Sequence, residues 1–255
     1  MTESDDNEVR IDPRSRLLIL SDIHGNWTAL RAVLGAEPEV SDILCLGDWV
    51  NYGPDPSACV RWGSRNLLPG RALRGNHDVA ALTGIRPRFS STGGEELDAV
   101  LSHTRRNLSI DDRAYLESLP ASATLRVGHE IWWACHALPS DPLEGYLREE
   151  SPETSWRDEV STAGDPAVLL VGHTHRPFLK RVGKTTIVNP GSVGRPKDGD
   201  SLASYAIWQD GEFYLRKISC DVQEVDLGYS THFHGLHSQH ASTNLSRRSG
   251  ERLPG

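Results

Sequence analysis

Short apolar runs that stop at small polar loops recur along the chain, each of a length suited to one buried strand. Arg16 to Leu20 reads Arg-Leu-Leu-Ile-Leu and ends at Ser21-Asp22. Beyond the loop, Trp27, Leu30, Val33 and Leu34 fall on one helical face, with Asn26 available as the N-cap. The same order returns at Ile43 to Leu46, followed by a helix over Pro56 to Asn66. A third strand at Arg71 to Arg74 precedes Asn76-His77-Asp78. This alternation predicts strands covered by helices, with functional loops at the strands' carboxyl ends.

The pattern then changes. Gly94 to Asn107 and Asp111 to Leu119 carry helical spacing, the second opened by Asp111-Asp112. After Pro120, strands are expected at Thr124 to Val127, Ile131 to Cys135, Ala167 to Val171, Phe178 to Val182, Thr185 to Val188, Ala203 to Trp208 and Glu212 to Ile218. Gly128-His129, Gly183-Lys184 and Asp210-Gly211 supply turns between neighbours. A second sheet therefore packs on the first. The expected fold is α/β: a two-sheet β-sandwich flanked by helices.

Composition limits the architecture to one domain. A chain of 255 residues with a 37% apolar fraction can bury one substantial core, assigned here to residues 15–227. Residues 1–14 are expected to be a disordered acidic leader. Met1 to Asp12 holds Glu3, Asp5, Asp6, Glu8 and Asp12 against Arg10, a net −4 of the chain's −8. Residues 228–255, rich in Ser, His, Gly and Arg, are expected to be a flexible tail. His232, His234, His237 and His240 in it lack any carboxylate partner or fixed element. The acidic balance argues against a basic surface for duplex nucleic acid. Cys45, Cys59, Cys135 and Cys220 show no paired spacing, no apolar run approaches a membrane span, and the N-terminus has no signal-peptide pattern. A reducing cytoplasm is the expected location, with no membrane partner.

Candidate chemistry clusters at the strand ends. Asp22-Ile23-His24 offers a carboxylate and an imidazole from one tight loop, although a lone D-x-H often only ends a strand. Gly47-Asp48 by itself reads equally as a turn. Gly75-Asn76-His77-Asp78 brings amide, imidazole and carboxylate together after a strand; an Asx turn capping the next helix explains it as well. Gly172-His173-Thr174-His175 follows an apolar strand, and its paired imidazoles favour metal binding. His136 ends the strand Ile131 to Cys135 and alone would read as structural. Asn189-Pro190-Gly191-Ser192 closes the series. Gly183-Lys184-Thr185 lacks the upstream glycine of a phosphate-binding loop, since Phe178 stands there.

In this order, from Leu17 to Cys220, the segments resemble the calcineurin-like metallophosphoesterase superfamily. The resemblance implies two divalent metal ions per chain. Asp22, His24, Asp48 and His175 would hold one, and Asp48, Asn76, His136 and His173 the other, with Asp48 bridging. Two ions about 3.5–4 Å apart, joined by a carboxylate and a water, make hydroxide available near neutral pH. They also take up charge on the phosphoryl oxygens. His77 would lie over the substrate as general acid or hydrogen-bond donor. Mixed nitrogen and oxygen ligation suits manganese, iron, zinc, cobalt or nickel, with manganese the first expectation.

Gly47-Asp48-Trp49-Val50-Asn51-Tyr52-Gly53 departs from the protein Ser/Thr phosphatase pattern, with Asn51 and Tyr52 in place of an Asp and a phosphate-clamping Arg. Asp78 or Asn51 is then the candidate to orient His77. Asn51 also stands where purple acid phosphatases carry a metal-binding Tyr. Asp22 to Asn26, Tyr52 to Pro56 and Asn189 to Gly194 are similar to a small prokaryotic branch of phosphodiesterases and diadenosine tetraphosphate hydrolase relatives. The implied activity is hydrolysis of phosphodiester or phosphoanhydride bonds in a small nucleotide substrate. A phosphomonoesterase, including one acting on phosphoproteins, is the alternative enzyme. A non-catalytic interaction module is the alternative outside enzymes, and it fits poorly because no ligand is missing. Asn26, Tyr52, Gly191, Ser192 and Arg195 are the candidate substrate contacts; a tight turn accounts for the glycines equally well, and N-capping for Asn26.

Overall fold

The computed structural model describes residues 9–68, 70–88 and 93–220. Its elements run in the order β1 (Val9–Ile11), β2 (Leu17–Leu20), α1 (Trp27–Ala36), β3 (Asp42–Cys45), α2 (Pro56–Asn66), α3 (Asn76–Thr83), α4 (Gly94–Asn107) and α5 (Ile110–Ser118). They continue with β4 (Ser122–Val127), β5 (Glu130–Cys135), α6 (Glu153–Thr162), β6 (Val168–Leu170), β7 (Phe178–Val182), β8 (Thr185–Asn189), β9 (Leu202–Gln209) and β10 (Glu212–Ser219). One sheet has the order β1-β4-β5-β6-β8-β7 and the other β10-β9-β2-β3.

The two sheets face each other across an apolar layer, and the period-2 alternation of each strand decides which side chains enter it. Leu17 and Ile19 of β2 join Leu44, Leu125, Trp132, Ala134, Val168, Leu170, Val188, Ala206 and Trp208 there. Leu18 and Leu20 point the other way, into a second cluster with Leu30 and Val33 of α1, Cys59 and Val60 of α2 and Leu116 of α5. Both faces of β2 are therefore covered, which is why its sequence is continuously apolar rather than alternating. The outer face of the larger sheet, carrying Leu169 and Ile187, packs on Trp156 and Val160 of α6. The expected sandwich flanked by helices is the observed architecture.

The hairpin turns hold as read. β4 and β5, β7 and β8, and β9 and β10 pair antiparallel across two-residue loops. At Asp210-Gly211 both residues have positive φ, 54° and 82°, the signature of a type I′ turn. Cys45, Cys59 and Cys135 are buried free thiols. Among the described residues no helix is long and apolar enough to cross a membrane.

Three expectations are corrected, and one helix enters that periodicity did not predict. The leader assigned to residues 1–14 gives way at Val9–Ile11 to a strand paired parallel with β4, because Ile11 reaches the inter-sheet layer. Arg71 to Arg74 forms no strand: Ala72 makes a single bridge to Cys45 before Arg74 N–H turns to the Pro120 carbonyl. Asn76-His77-Asp78 is the first turn of α3, not a loop ahead of it. The segment before β6 contains α6, which covers the outer face of the larger sheet. The proposed tail at 228–255, with its histidines, lies outside the described residues.

Candidate metal centre

Five chain segments meet at one edge of the sandwich. β2 leads into Asp22 and His24, β3 into Asp48, β5 into His136 and β6 into His173 and His175, while Asn76 opens α3. β2 and β3 are adjacent and parallel, as are β5 and β6, so their carboxyl ends point the same way within each sheet. Sharp turns then aim the side chains inward. Among the described residues, seven of the nine non-glycine residues with positive φ are at this edge: Asp22, His24, Asp48, Asn51, Tyr52, His173 and His175. Left-handed backbone at such residues is disfavoured, and its concentration marks a site where side-chain direction outweighs local comfort.

Two groups of ligand atoms form there. Asp22, His24, Asp48 and His175 each bring one atom within 4.8 Å of the others, and Asp48, His136 and His173 do the same, so Asp48 belongs to both. His175 Nε2 is 3.2 Å and His24 Nε2 3.8 Å from Asp22 Oδ1. His136 Nε2 is 3.3 Å and His24 Nε2 3.7 Å from Asp48 Oδ2. The far ring nitrogens are tied down: Nδ1 of His24 to the Val50 carbonyl at 3.1 Å, of His136 to the Leu46 carbonyl at 3.1 Å, and of His175 to the Arg195 carbonyl at 2.5 Å. A carbonyl accepts only, so each Nδ1 carries a proton, and each Nε2 faces inward, where it offers a lone pair whenever the ring is neutral.

The donor set fits two cations. Asp22 Oδ1, Asp48 Oδ2, Asn76 Oδ1, His136 Nε2 and His173 Nε2 are all buried without a hydrogen-bond partner. Buried polar atoms left so are costly, and Asp22, Asp48, His136 and His173 belong to the two ligand groups, with Asn76 next in sequence to His77, whose N–H is bound to Asp48. The opposite carboxylate oxygens are satisfied: Asp22 Oδ2 by Ser21 Oγ at 2.6 Å and His173 N–H at 3.1 Å, and Asp48 Oδ1 by His77 N–H at 2.8 Å. Each carboxylate thus has one oxygen held and one presented.

Electrostatics agree with that reading. Burial alone would raise the Asp22 and Asp48 carboxyls, but His175 beside the first, and His136 and His77 beside the second, bring both below the ordinary value. Burial lowers His24 far below the usual imidazole range and His173 to about 3, so both rings are neutral and able to ligate. His136 runs against its own burial: the Asp48 and Asp22 carboxylates raise it to about 9.

Around this centre the remaining candidates divide. His77 lies 5.1 Å from the His24 ring and 5.0 Å from the Tyr52 ring. Asn51 Nδ2 sits 3.1 Å from His77 Nδ1, so Asn51 and not Asp78 contacts the ring. Asp78, expected in a catalytic role, is committed elsewhere. Its carboxylate accepts from the backbone N–H groups of Asp48, Trp49, Val50 and Gly75, which clamps the loop after β3 to the start of α3. Arg195 stacks its guanidinium 3.8 Å over Tyr52, and both are buried. These two line the His77 side of the centre.

Gly191 and Ser192 do not form an anion cradle. Gly191 N–H donates to Asn189 Oδ1, Val193 N–H to the Ser21 carbonyl, Gly194 N–H to the Asp22 carbonyl and Arg195 N–H to Ser192 Oγ. Ser192 Oγ in turn donates to the Asp22 carbonyl at 2.8 Å. This segment therefore supports the ligand loop and leaves those donors no role toward substrate. Asn26 likewise caps α1 through Ala29 N–H at 2.9 Å and donates to the Gly194 carbonyl at 3.4 Å. Sequence reasoning missed Tyr146, whose ring centroid lies 5.6 Å from that of His173, and Glu144, which accepts from Asn76 Nδ2 at 3.5 Å. They stand on an irregular loop after β5, where no periodicity flags them.

Residues 16–210 match the model of the calcineurin-like phosphoesterase superfamily domain. A Methanocaldococcus jannaschii protein is 29% identical over 240 residues, spanning 83% of this chain and 90% of its own length. Phosphodiesterase YfcE of Escherichia coli is 28% identical over 199 residues, spanning 75% of this chain and 86% of its own. The crystal structure of a metallophosphoesterase from Sphaerobacter thermophilus superposes with a TM-score of 0.66 at 30% identity, covering 81% of this chain and 89% of that one. With the ligand groups converging at the strand ends, these matches establish that the chain belongs to the calcineurin-like phosphoesterase superfamily.

Proposed function

We propose that the protein hydrolyses phosphodiester or phosphoanhydride bonds of a small nucleotide substrate, using two divalent ions, manganese first among them, in the cytoplasm. The observation that carries this is the pair of ligand groups sharing Asp48, with their unpartnered atoms converging. Asp22, His24, Asp48 and His175 would hold one ion, and Asp48, Asn76, His136 and His173 the other. Such ions, when bound, lower the pKa of an attacking water and neutralise developing phosphoryl charge.

The protein's own side chains do the rest. His77, at the start of α3 with its N–H on Asp48 Oδ1, would present its ring toward the leaving oxygen. Arg195, braced on Tyr52, supplies positive charge beside it; position 52 itself carries no arginine. That pairing supports recognition of a phosphate chain by one fixed guanidinium. The similarity to a phosphodiesterase over most of its length is consistent with this class of substrate.

Purified protein supplied with manganese should cleave bis(p-nitrophenyl) phosphate, and Asp48→Ala should reduce turnover by at least about 10³-fold, the scale expected when a catalytic constellation loses its charge stabilisation. An Asp48→Ala variant as active as the parent would end the proposal.

A further inference from the structure

We propose that Asn51 is a positioning residue that holds His77 as its Nε2–H tautomer, biasing the reaction toward bonds whose leaving oxygen departs as a stable anion. Those are phosphoanhydrides and aryl phosphodiesters, in preference to esters of unactivated alcohols. The leaving-group half of this inference rests on the phosphoesterase reading; the tautomer half stands on hydrogen bonds alone.

Asn51 is fully buried, three positions after Asp48. Its Nδ2 lies 3.0 Å from the His77 backbone carbonyl and 3.1 Å from His77 Nδ1. The carbonyl can only accept, so the amide must turn its NH2 group that way. Exchanging the amide's oxygen and nitrogen would set Oδ1 against the carbonyl oxygen with no proton between them. With the amide fixed, Nδ1 faces a donor and carries no proton, which leaves the ring proton on Nε2. The ring has little freedom to escape this arrangement. His24 and Tyr52 pack against it at 5.1 Å and 5.0 Å, and the residue's own N–H is tied to Asp48.

The consequence is chemical. A carboxylate at position 51 would require a proton on Nδ1 and would support a ring that gives up its Nε2 proton while keeping the other. Asparagine offers a donor instead, so the Nε2 proton is the ring's only one. His77 therefore stabilises the leaving oxygen by a hydrogen bond and keeps its proton. In the step itself, water oxygen forms the new bond to phosphorus and the bond to the leaving oxygen breaks. One water proton passes to solvent, and the leaving group departs as its anion, hydrogen-bonded to Nε2–H. A terminal phosphate or a phenoxide tolerates that departure; an alkoxide does not.

The full-length protein, labelled with [15N]histidine and loaded with diamagnetic zinc, gives a direct readout by long-range 1H–15N correlation, with His77 assigned by comparison with His77→Ala. The expected spectrum has a protonated Nε2 and a bare Nδ1 for His77, and protons on both nitrogens in Asn51→Asp. A proton on Nδ1 in the parent protein overturns the proposal, whatever its activity. Rates on methyl aryl phosphodiesters should fall steeply as the phenol becomes more basic. Asn51→Asp should gain about 10²-fold, on the most basic leaving group relative to the least, the size of a general-acid contribution. A flat dependence in the parent overturns the leaving-group preference. If Asn51→Asp does not fold, the parent spectrum and slope still decide. Absence of turnover on every ester sinks the phosphoesterase reading and the leaving-group preference, while the spectrum still decides the tautomer.

Discussion

At His136 two demands conflict. Burial favours the neutral ring, yet the Asp48 and Asp22 carboxylates raise its pKa to about 9, so near neutral pH the Nε2 atom carries a proton. A ligand must present that nitrogen bare. An incoming cation therefore displaces the proton, and the sign follows: below the raised pKa, apparent affinity falls as pH falls. Binding near neutral pH should release about one proton, with affinity dropping roughly tenfold per unit of pH for the one displaced. Calorimetry of manganese binding in buffers of different ionisation enthalpy measures this directly, and zero net release would refute it. Residue types at strand ends singled out Asp22, His24, Asp48, His136, His173 and His175, but only their order, through the resemblance, made them candidate ligands. Roles that depend on which backbone donor a side chain meets were not legible. Asp78 looked catalytic because four N–H partners cannot be seen in a sequence, and Ser192 looked available because its bond to the Asp22 carbonyl joins residues 170 positions apart.

Among elements, the repeated strand, loop and helix unit was legible because burial on both faces makes β2 continuously apolar and Asn26 marks the start of α1. The misses share a cause. β1 has three residues, and α3 spends its first turn on polar site residues, so neither shows a full period. The tightest glycine position among the described residues lies where the segment after β8 crosses the loop after β2. A methyl group on Gly194 would lie 1.9 Å from the Ile23 carbonyl oxygen, and Gly194 N–H is the donor to the Asp22 carbonyl. Backbone must move to admit a side chain there. Gly194→Ala should cost about 1–3 kcal/mol of stability in urea unfolding, the range for overpacking. It should also weaken manganese binding, because Ile23 sits between Asp22 and His24. Parent-like stability and affinity together would show that the crossing has more slack than its geometry implies.

For the molecule as a whole, each sheet contributes three of the candidate ligands and neither completes the centre. Asp22, His24 and Asp48 come from the ends of β2 and β3 in the four-stranded sheet, whereas His136, His173 and His175 follow β5 and β6 in the six-stranded one. Each ligand group contains members from both. Bound ions would therefore fasten the sheets across the rim of the sandwich, beyond the reach of the apolar layer. They would also relieve the mutual repulsion of Asp22 and Asp48, which lie fully buried in the same ligand group. Binding to the folded state alone contributes about 2.7 kcal/mol at a hundredfold excess over Kd. For a domain of this size that corresponds to roughly 5–10 °C in Tm. Thermal unfolding in manganese against a chelator should show that difference, and Asp48→Ala should abolish it, since Asp48 belongs to both groups. His175→Ala should remove only part, because His136 and His173 still hold the second group with Asp48. A chelator-insensitive Tm in the parent, across manganese, zinc and cobalt, would mean that the converging atoms are not a cation site.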